Sequence, residues 1–350
     1  MNSPDQARDD GPFIRRTLIV IGLIALTALL WMLRDVLLMV FGAVVIAALF
    51  RSLAGQFQKL GLPQGIALAL AVLTVIGIVV AGGFLFGAQL VSQAETLRDA
   101  VPKAWTSLQE RLAGLGVSLP KPGASGGGGV FGDLTANLGK FAMSLGNGLA
   151  DTLLIVVGGI FIAASPSFYG TGLLKLVPPA SRALAGEAME DSGRALRLWL
   201  KAQLLAMLII GVLTGLGLWL LGVPSAFALG LLAGLLEFIP FAGPIIAAAP
   251  AILIALAIDP QMALWTLLLY VAIQHIEGYA LQPMIQSWAV ELPGAVLLFS
   301  LLAFGGLFGP LGIVFAAPLT VVAYVLIKRL YVREALDTAT PIPGEESEAG

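Results

Sequence analysis

Between Ala202 and Ile327 the chain carries no lysine or arginine, yet four carboxylates stand there: Glu237, Asp259, Glu277 and Glu291. Asp259, in an Asp-Pro step, and Glu291, before Leu-Pro, fall at loop positions and read as solvated. Glu237 and Glu277 lie in apolar sequence, one directly before a Phe-Ile-Pro break, the other beside Gln274 and His275. An unpaired carboxylate in a low-dielectric site takes up a proton or holds a cation. Either behaviour suits proton or sodium coupling. The plainer alternative is a protonated glutamate bonded to carbonyls that a helix break has freed, or one pointing into water. His275 is the single histidine, and a lone histidine is more often a packing or hydrogen-bonding residue than a proton relay. Asp151 and Gln203 sit near helix ends, where polar side chains are ordinary.

Catalytic arrangements are absent from the sequence. There is no cysteine, and one histidine cannot supply a two-histidine site or serve more than one serine nucleophile. The Gly-x-Ser-x-Gly string at 123–127 belongs to the Gly-rich linker, with no strand read before it to make a nucleophile elbow; no metal-spaced cluster is found, and the glycine run ending at Gly129 lacks the Lys-Ser/Thr that a phosphate loop requires. The expectation is a protein that is not an enzyme and needs no cofactor or metal.

The elements that must position these residues are membrane segments. With 58% hydrophobic and 11% charged residues and a mean hydropathy of +0.96, a 350-residue chain cannot bury its apolar surface in water, so it reads as an all-α polytopic membrane protein. Two passages organise its C-terminal half: Leu231–Pro250, LLAGLLEFIPFAGPIIAAAP, and Leu301–Pro318, LLAFGGLFGPLGIVFAAP. Both begin Leu-Leu-Ala, reach a Gly-Pro step (Gly243-Pro244, Gly309-Pro310) and run on to Ala-Ala-Pro. Their anchors lie 70, 66 and 68 residues apart, as in a duplicated unit. Ser225–Ala257 holds 33 residues, about 50 Å as one helix against a hydrocarbon core of roughly 30 Å. Pro240 and Pro244 also remove backbone donors in its middle. Either each unit is one kinked, over-long helix, giving eight spans, or each is a re-entrant hairpin. The length favours hairpins, which would form an inverted repeat with their tips lining a site.

In chain order, residues 1–16 read as a cytoplasmic tail and 17–90 as transmembrane helices, with a tight polar turn at Arg34-Asp35. Residues 91–148 read as an extracytoplasmic excursion, an amphipathic helix followed by a Gly-rich linker. Then come a transmembrane helix at 149–164, a basic amphipathic connector at 165–201, a core at 202–330 and a disordered acidic tail at 331–350. With the N-terminus inside, thirteen of the nineteen lysines and arginines are cytoplasmic, so both termini are expected in the cytoplasm.

Three stretches carry a resemblance: LGVPSAFALGLLAGLLEFIPFAGP from Leu221, QHIEGYALQPMI from Gln274, and FGGLFGPLGIVFAAPL from Phe304. Together they resemble the autoinducer-2 exporter (AI-2E) family, the PerM-type permeases. The family's Ile-Pro-aromatic-x-Gly-Pro element falls on Ile239, Pro240, Phe241, Gly243 and Pro244. Its Glu-x-x-x-x-Gln-Pro element falls on Glu277, Gln282 and Pro283, and its Gly-rich and Ala-x-Pro elements on Phe308, Gly309, Gly312, Ala316 and Pro318. The chain departs where the family often has Asn for Glu237, Tyr for Phe241 and Leu-His-Pro for Glu291-Leu292-Pro293. The resemblance implies a bacterial inner-membrane exporter of small molecules such as autoinducer-2, a quorum-sensing signal. Some members look like sodium(lithium)/proton antiporters, and a homo-oligomer, a pentamer, is implied. The expected solute site comprises Glu237, Pro240, Phe241, Gly243, Pro244, Gln274, His275, Glu277, Gln282, Pro283, Gly309 and Pro310, with protons as the coupling ion. The rivals are a sodium(lithium)/proton antiporter of the same fold and a non-transporting scaffold whose excursion binds an envelope partner.

Overall fold

The computed structural model describes residues 10–84, 149–286, 290, 292–343 and 345. The excursion read at 91–148 and the carboxylate Glu291 lie outside them. The described residues are helical and contain no strand: α1 (Asp10–Met32), α2 (Arg34–Lys59), α3 (Gln64–Phe84), α4 (Leu149–Ala164), α5 (Pro166–Lys175), α6 (Arg182–Leu220), α7 (Ala226–Leu236), α8 (Ala242–Ile258), α9 (Pro260–Ile276), α10 (Gln282–Gln286) and α11 (Gly294–Leu326). Five stretches are long and apolar enough to cross a membrane: Arg15–Met32, α2, α3, Pro179–Leu220 and Gly294–Ala335. There is a sixth if α4 and α5, bent by 92°, form one broken span. The expected all-α polytopic membrane architecture is therefore what the chain adopts.

The N-terminal part differs from the expected turn at Arg34-Asp35. Helical hydrogen bonding runs through the break at Leu33, whose N–H donates to the Leu29 carbonyl and whose carbonyl accepts from Leu37 N–H, both at 2.9 Å. Arg34 stacks on Trp31, 4.5 Å from the ring centre, and pairs with Asp35 at 3.7 Å, so these two polar groups satisfy each other on a continuing helix. Small residues let α2 and α4 approach closely: Cβ positions at Gly158 and Gly159 fall 3.1 Å from Ala43 Cβ and 2.7 Å from Ile46 Cγ2.

Helix α6 is the spine of the C-terminal half. Its first half is charged and its second apolar, and it runs unbroken for 39 residues. Helices α7 and α8 form a hairpin against it. Pro240 cannot continue α7, and Phe241 turns the chain with φ of 64°. Gly243 then lies against the Leu236 carbonyl oxygen, and Ala247, Ala251 and Ile254 pack back with Leu229 and Ala233. Helix α9 begins at an N-cap, Asp259, whose carboxylate accepts from Gln261 N–H at 3.1 Å.

The second duplicated passage also reverses. Residues eight apart in a straight helix are about 12 Å apart. Here the Cβ position of Gly305 is 2.9 Å from Ile313 Cγ1, and that of Gly312 meets the Phe304 carbonyl oxygen. The turn is at Gly309, with φ of 64° and ψ of −146°, a conformation that favours glycine. Both duplicated units are thus hairpins, not single kinked spans. The turn residues Phe241 and Gly309 are 68 apart, matching the Ala-Ala-Pro spacing rather than the 66 of the Gly-Pro steps. The hairpins also point opposite ways along α6. The tip of the first lies beside Trp199 and Gln203, towards the charged half. The base of the second lies at that charged half, where Arg329 pairs with Glu187 and with Asp191.

The C-terminal segment is not the disordered tail expected from residue 331. Residues Ile327–Ala335 continue as a π-helix, and the chain then turns back so that Ile342 is 3% exposed in a cluster with Leu196, Trp199, Val321 and Val325. Arg333 holds Glu345 through two hydrogen bonds, 2.7 and 2.8 Å, and Lys328 donates to the Pro341 carbonyl at 3.2 Å. One apolar side chain and two basic ones are enough to fix the segment. Residues 346–350 are outside the described set.

Candidate functional site

Three elements converge beneath the first hairpin tip. Glu237 caps the C-terminal end of α7 and is 3% exposed. Its carboxyl lies against that of Glu277, which succeeds α9 in a π-helical turn, Glu277–Leu281. Such turns widen the helix and recur at functional sites. Glu277 accepts from Gln274 Nε2 at 2.8 Å on one oxygen and from Gln282 Nε2 at 3.4 Å on the other. From α6, Gln203 Nε2 donates to the Glu237 main-chain carbonyl at 2.6 Å. Glu237 Oε2 is buried and accepts no hydrogen bond among the described residues.

Two carboxyls and three carboxamides therefore meet in a segment with no lysine or arginine to neutralise them.

The other expected site residues divide. Pro240, Phe241, Gly243 and Pro244 build the turn that carries Glu237, Gly243 and Pro244 buried and Phe241 45% exposed. Gln282 and Pro283 are exposed just past the π turn. Gly309 and Pro310 form the second turn, whose flanking Phe308 and Leu311 pack on the same apolar cluster as Phe238 of the first. His275 is not brought to the pair. It is exposed, its Nδ1 is 2.8 Å from the Val271 carbonyl, and its ring faces Tyr279 at 5.9 Å. Residues 271, 275 and 279 share one face of the helix, while 274, 277 and 281 share another.

Gln203 is the residue that reading the sequence missed. It is 34 positions from its partner, and nothing in its flanking sequence marks it. A detectable signal existed in the two Gly-x-x-x-Gly pairs, Gly211/Gly215 and Gly230/Gly234. They dock α6 on α7, a Cβ position at Gly230 falling 2.5 Å from Gly215 Cα. Extending that docking by two turns places Gln203 at the hairpin tip.

Long apolar helices with two broken-helix hairpins among them define a polytopic membrane protein. The chain belongs to the AI-2E transporter family, whose model matches residues 20–331. It is 34% identical over 152 residues to YrrI of Bacillus subtilis, a transport protein by name, covering 43% of each chain. With MT0215 of Mycobacterium tuberculosis, also named for transport, identity is 27% over 330 residues and 88% of each chain. With the AI-2 transport protein TqsA of Escherichia coli it is 34% over 125 residues, 34% of this chain and 36% of TqsA. The chain thus spans less than half the length of YrrI and of TqsA.

Proposed function

We propose that the chain is an inner-membrane secondary transporter that exports a small polar solute of the autoinducer-2 kind, coupled to protons through Glu237 and Glu277. The observation that carries the reading is the contact of these two carboxyls beneath a broken helix, ringed by glutamine amides. Carbonyls and amides freed at the two turns would bind the solute, and the pair would hold the proton. The opposed hairpins would open alternately to each side, and the excess of basic residues on one side supports both termini being cytoplasmic. A sodium(lithium)/proton antiporter is the second reading, favoured by the same pair, since two facing carboxyls suit a small cation.

Proteoliposomes decide between them. Under an imposed pH gradient, wild-type protein should move autoinducer-2 in, or against, the direction of proton flow, and Glu237→Gln and Glu277→Gln should each reduce that flux by at least about tenfold. Sodium flux with the same sensitivity, and none for autoinducer-2, would select the antiporter. Absence of both from folded protein would sink the transport mechanism proposed.

A further inference from the structure

We infer that Gln203 is a positioning residue for the Glu237–Glu277 pair, setting where the Glu237 carboxyl stands by holding its main-chain carbonyl; the inference rests on the proton-coupled reading above. Trp199, Gln203, Met207, Gly211 and Gly215 recur every fourth residue and form one face of α6. Each turn of that face grips the first hairpin. A Cβ at Gly230 would lie 2.6 Å from Gly215 N, and one at Gly234 would lie 2.6 Å from the Met207 carbonyl oxygen. Trp199 meets Phe238 edge-on, 5.8 Å between ring centres. Between these apolar contacts stands one polar bond, Gln203 Nε2 to Glu237 O.

The bond lies where the backbone most needs it. Helix α7 ends at Leu236, and four residues past Glu237 the chain has turned to a positive φ at Phe241. The next amide N–H groups are engaged within the turn, Ala242 with the Pro240 carbonyl and Gly243 with that of Ile239. The Glu237 carbonyl is therefore tied to α6, not to its own hairpin. Because its side chain meets Glu277, any shift of this peptide changes the separation of the two carboxyls.

The charge at position 203 gives the test its edge. A protonated glutamate there is isosteric with glutamine and can donate to the carbonyl. An ionised one has no donor and repels both the carbonyl and the carboxyls of Glu237 and Glu277. The other nearby charge on α6, Lys201, is exposed. In proteoliposomes driven by a pH gradient, Gln203→Leu should lower autoinducer-2 or sodium flux roughly tenfold at every pH. Gln203→Glu should approach wild type only at about pH 4 and below, where a carboxyl of ordinary pKa is mostly protonated, and fall to the Leu level at about pH 8. A Glu variant that tracks the wild-type pH profile would overturn the inference, and it decides alone if the Leu variant does not fold. If wild-type flux is missing or indifferent to Glu237→Gln, the transport reading has failed instead. The tip is then read directly: a cysteine introduced by Ala242→Cys, in a chain with no other, should react with a methanethiosulfonate reagent roughly tenfold faster beside Gln203→Leu, and equal rates would overturn the inference.

Discussion

Phe241 takes the turn of the first hairpin at φ of 64° and ψ of −49°, a region that costs a non-glycine residue roughly 1–3 kcal/mol. At the corresponding turn of the second hairpin the chain uses Gly309, which meets the same φ without a Cβ. The side chain of Phe241 is 45% exposed and adds little burial to offset the backbone. Phe241→Gly should therefore be more stable than Phe241→Ala by about 1 kcal/mol, seen as a higher midpoint of thermal unfolding in detergent. An Ala variant equal to or above the Gly variant would show that the turn is relaxed. At this scale the sequence was informative where chemistry restricts residue type: Glu237 and Glu277 announce themselves by being charged in apolar sequence. It misled at His275, because neighbours in sequence point about 100° apart on a helix, and it passed over Gln203 as an ordinary polar residue near a helix end, although the residue lies well inside α6 and its role depends on tertiary register.

Between elements, the decisive contact is the glycine face where α6 meets α7. Gly211 and Gly215 oppose Gly230 and Gly234 with no side chain between the backbones. In a bilayer such an interface is held by close van der Waals contact, because lipid supplies no hydrophobic drive to bring helices together. Gly230→Val would force the helices apart and destabilise the hairpin by roughly 1–3 kcal/mol. It would also lengthen the Gln203–Glu237 bond two turns away. The expected outcome is a lower unfolding midpoint together with loss of gradient-driven flux, whereas Gly306→Val, at an open position, should leave the midpoint unchanged. Hairpins were legible from length and proline because a 33-residue apolar stretch overshoots the bilayer. The glycine pairs were legible only as a motif, since composition cannot say which of 42 glycines face one another.

The whole molecule is closed at the charged end of α6 by the chain's own C-terminal segment. Ile342 enters the cluster shared by α2, α6 and α11, and Glu345 accepts from Arg333 on both oxygens and from the Ile342 amide at 3.2 Å. The Arg333 guanidinium lowers the Glu345 carboxyl to about 2 from its ordinary 4.5. A group depressed in the folded state contributes stability that is fully present above its ordinary value and is lost as pH falls through the folded one. Protection of the Ile342 amide against hydrogen exchange, corrected for intrinsic rate, should thus be constant between about pH 5 and pH 7 and decline below about 4.5. Glu345→Gln should show reduced protection at pH 7 and no such decline. This closure was hidden in the sequence because residues 331–350 read as a polar tail, and a single isoleucine among prolines and acids gives no periodic signal. It also ties the outgoing arm of the second hairpin to α6, the helix that grips the first, alongside the Arg329 pairs with Glu187 and Asp191. If Glu345→Gln and wild type exchange alike at pH 7, the segment is held by Ile342 and Lys328 without the ion pair, which then has no part in joining the second hairpin to α6.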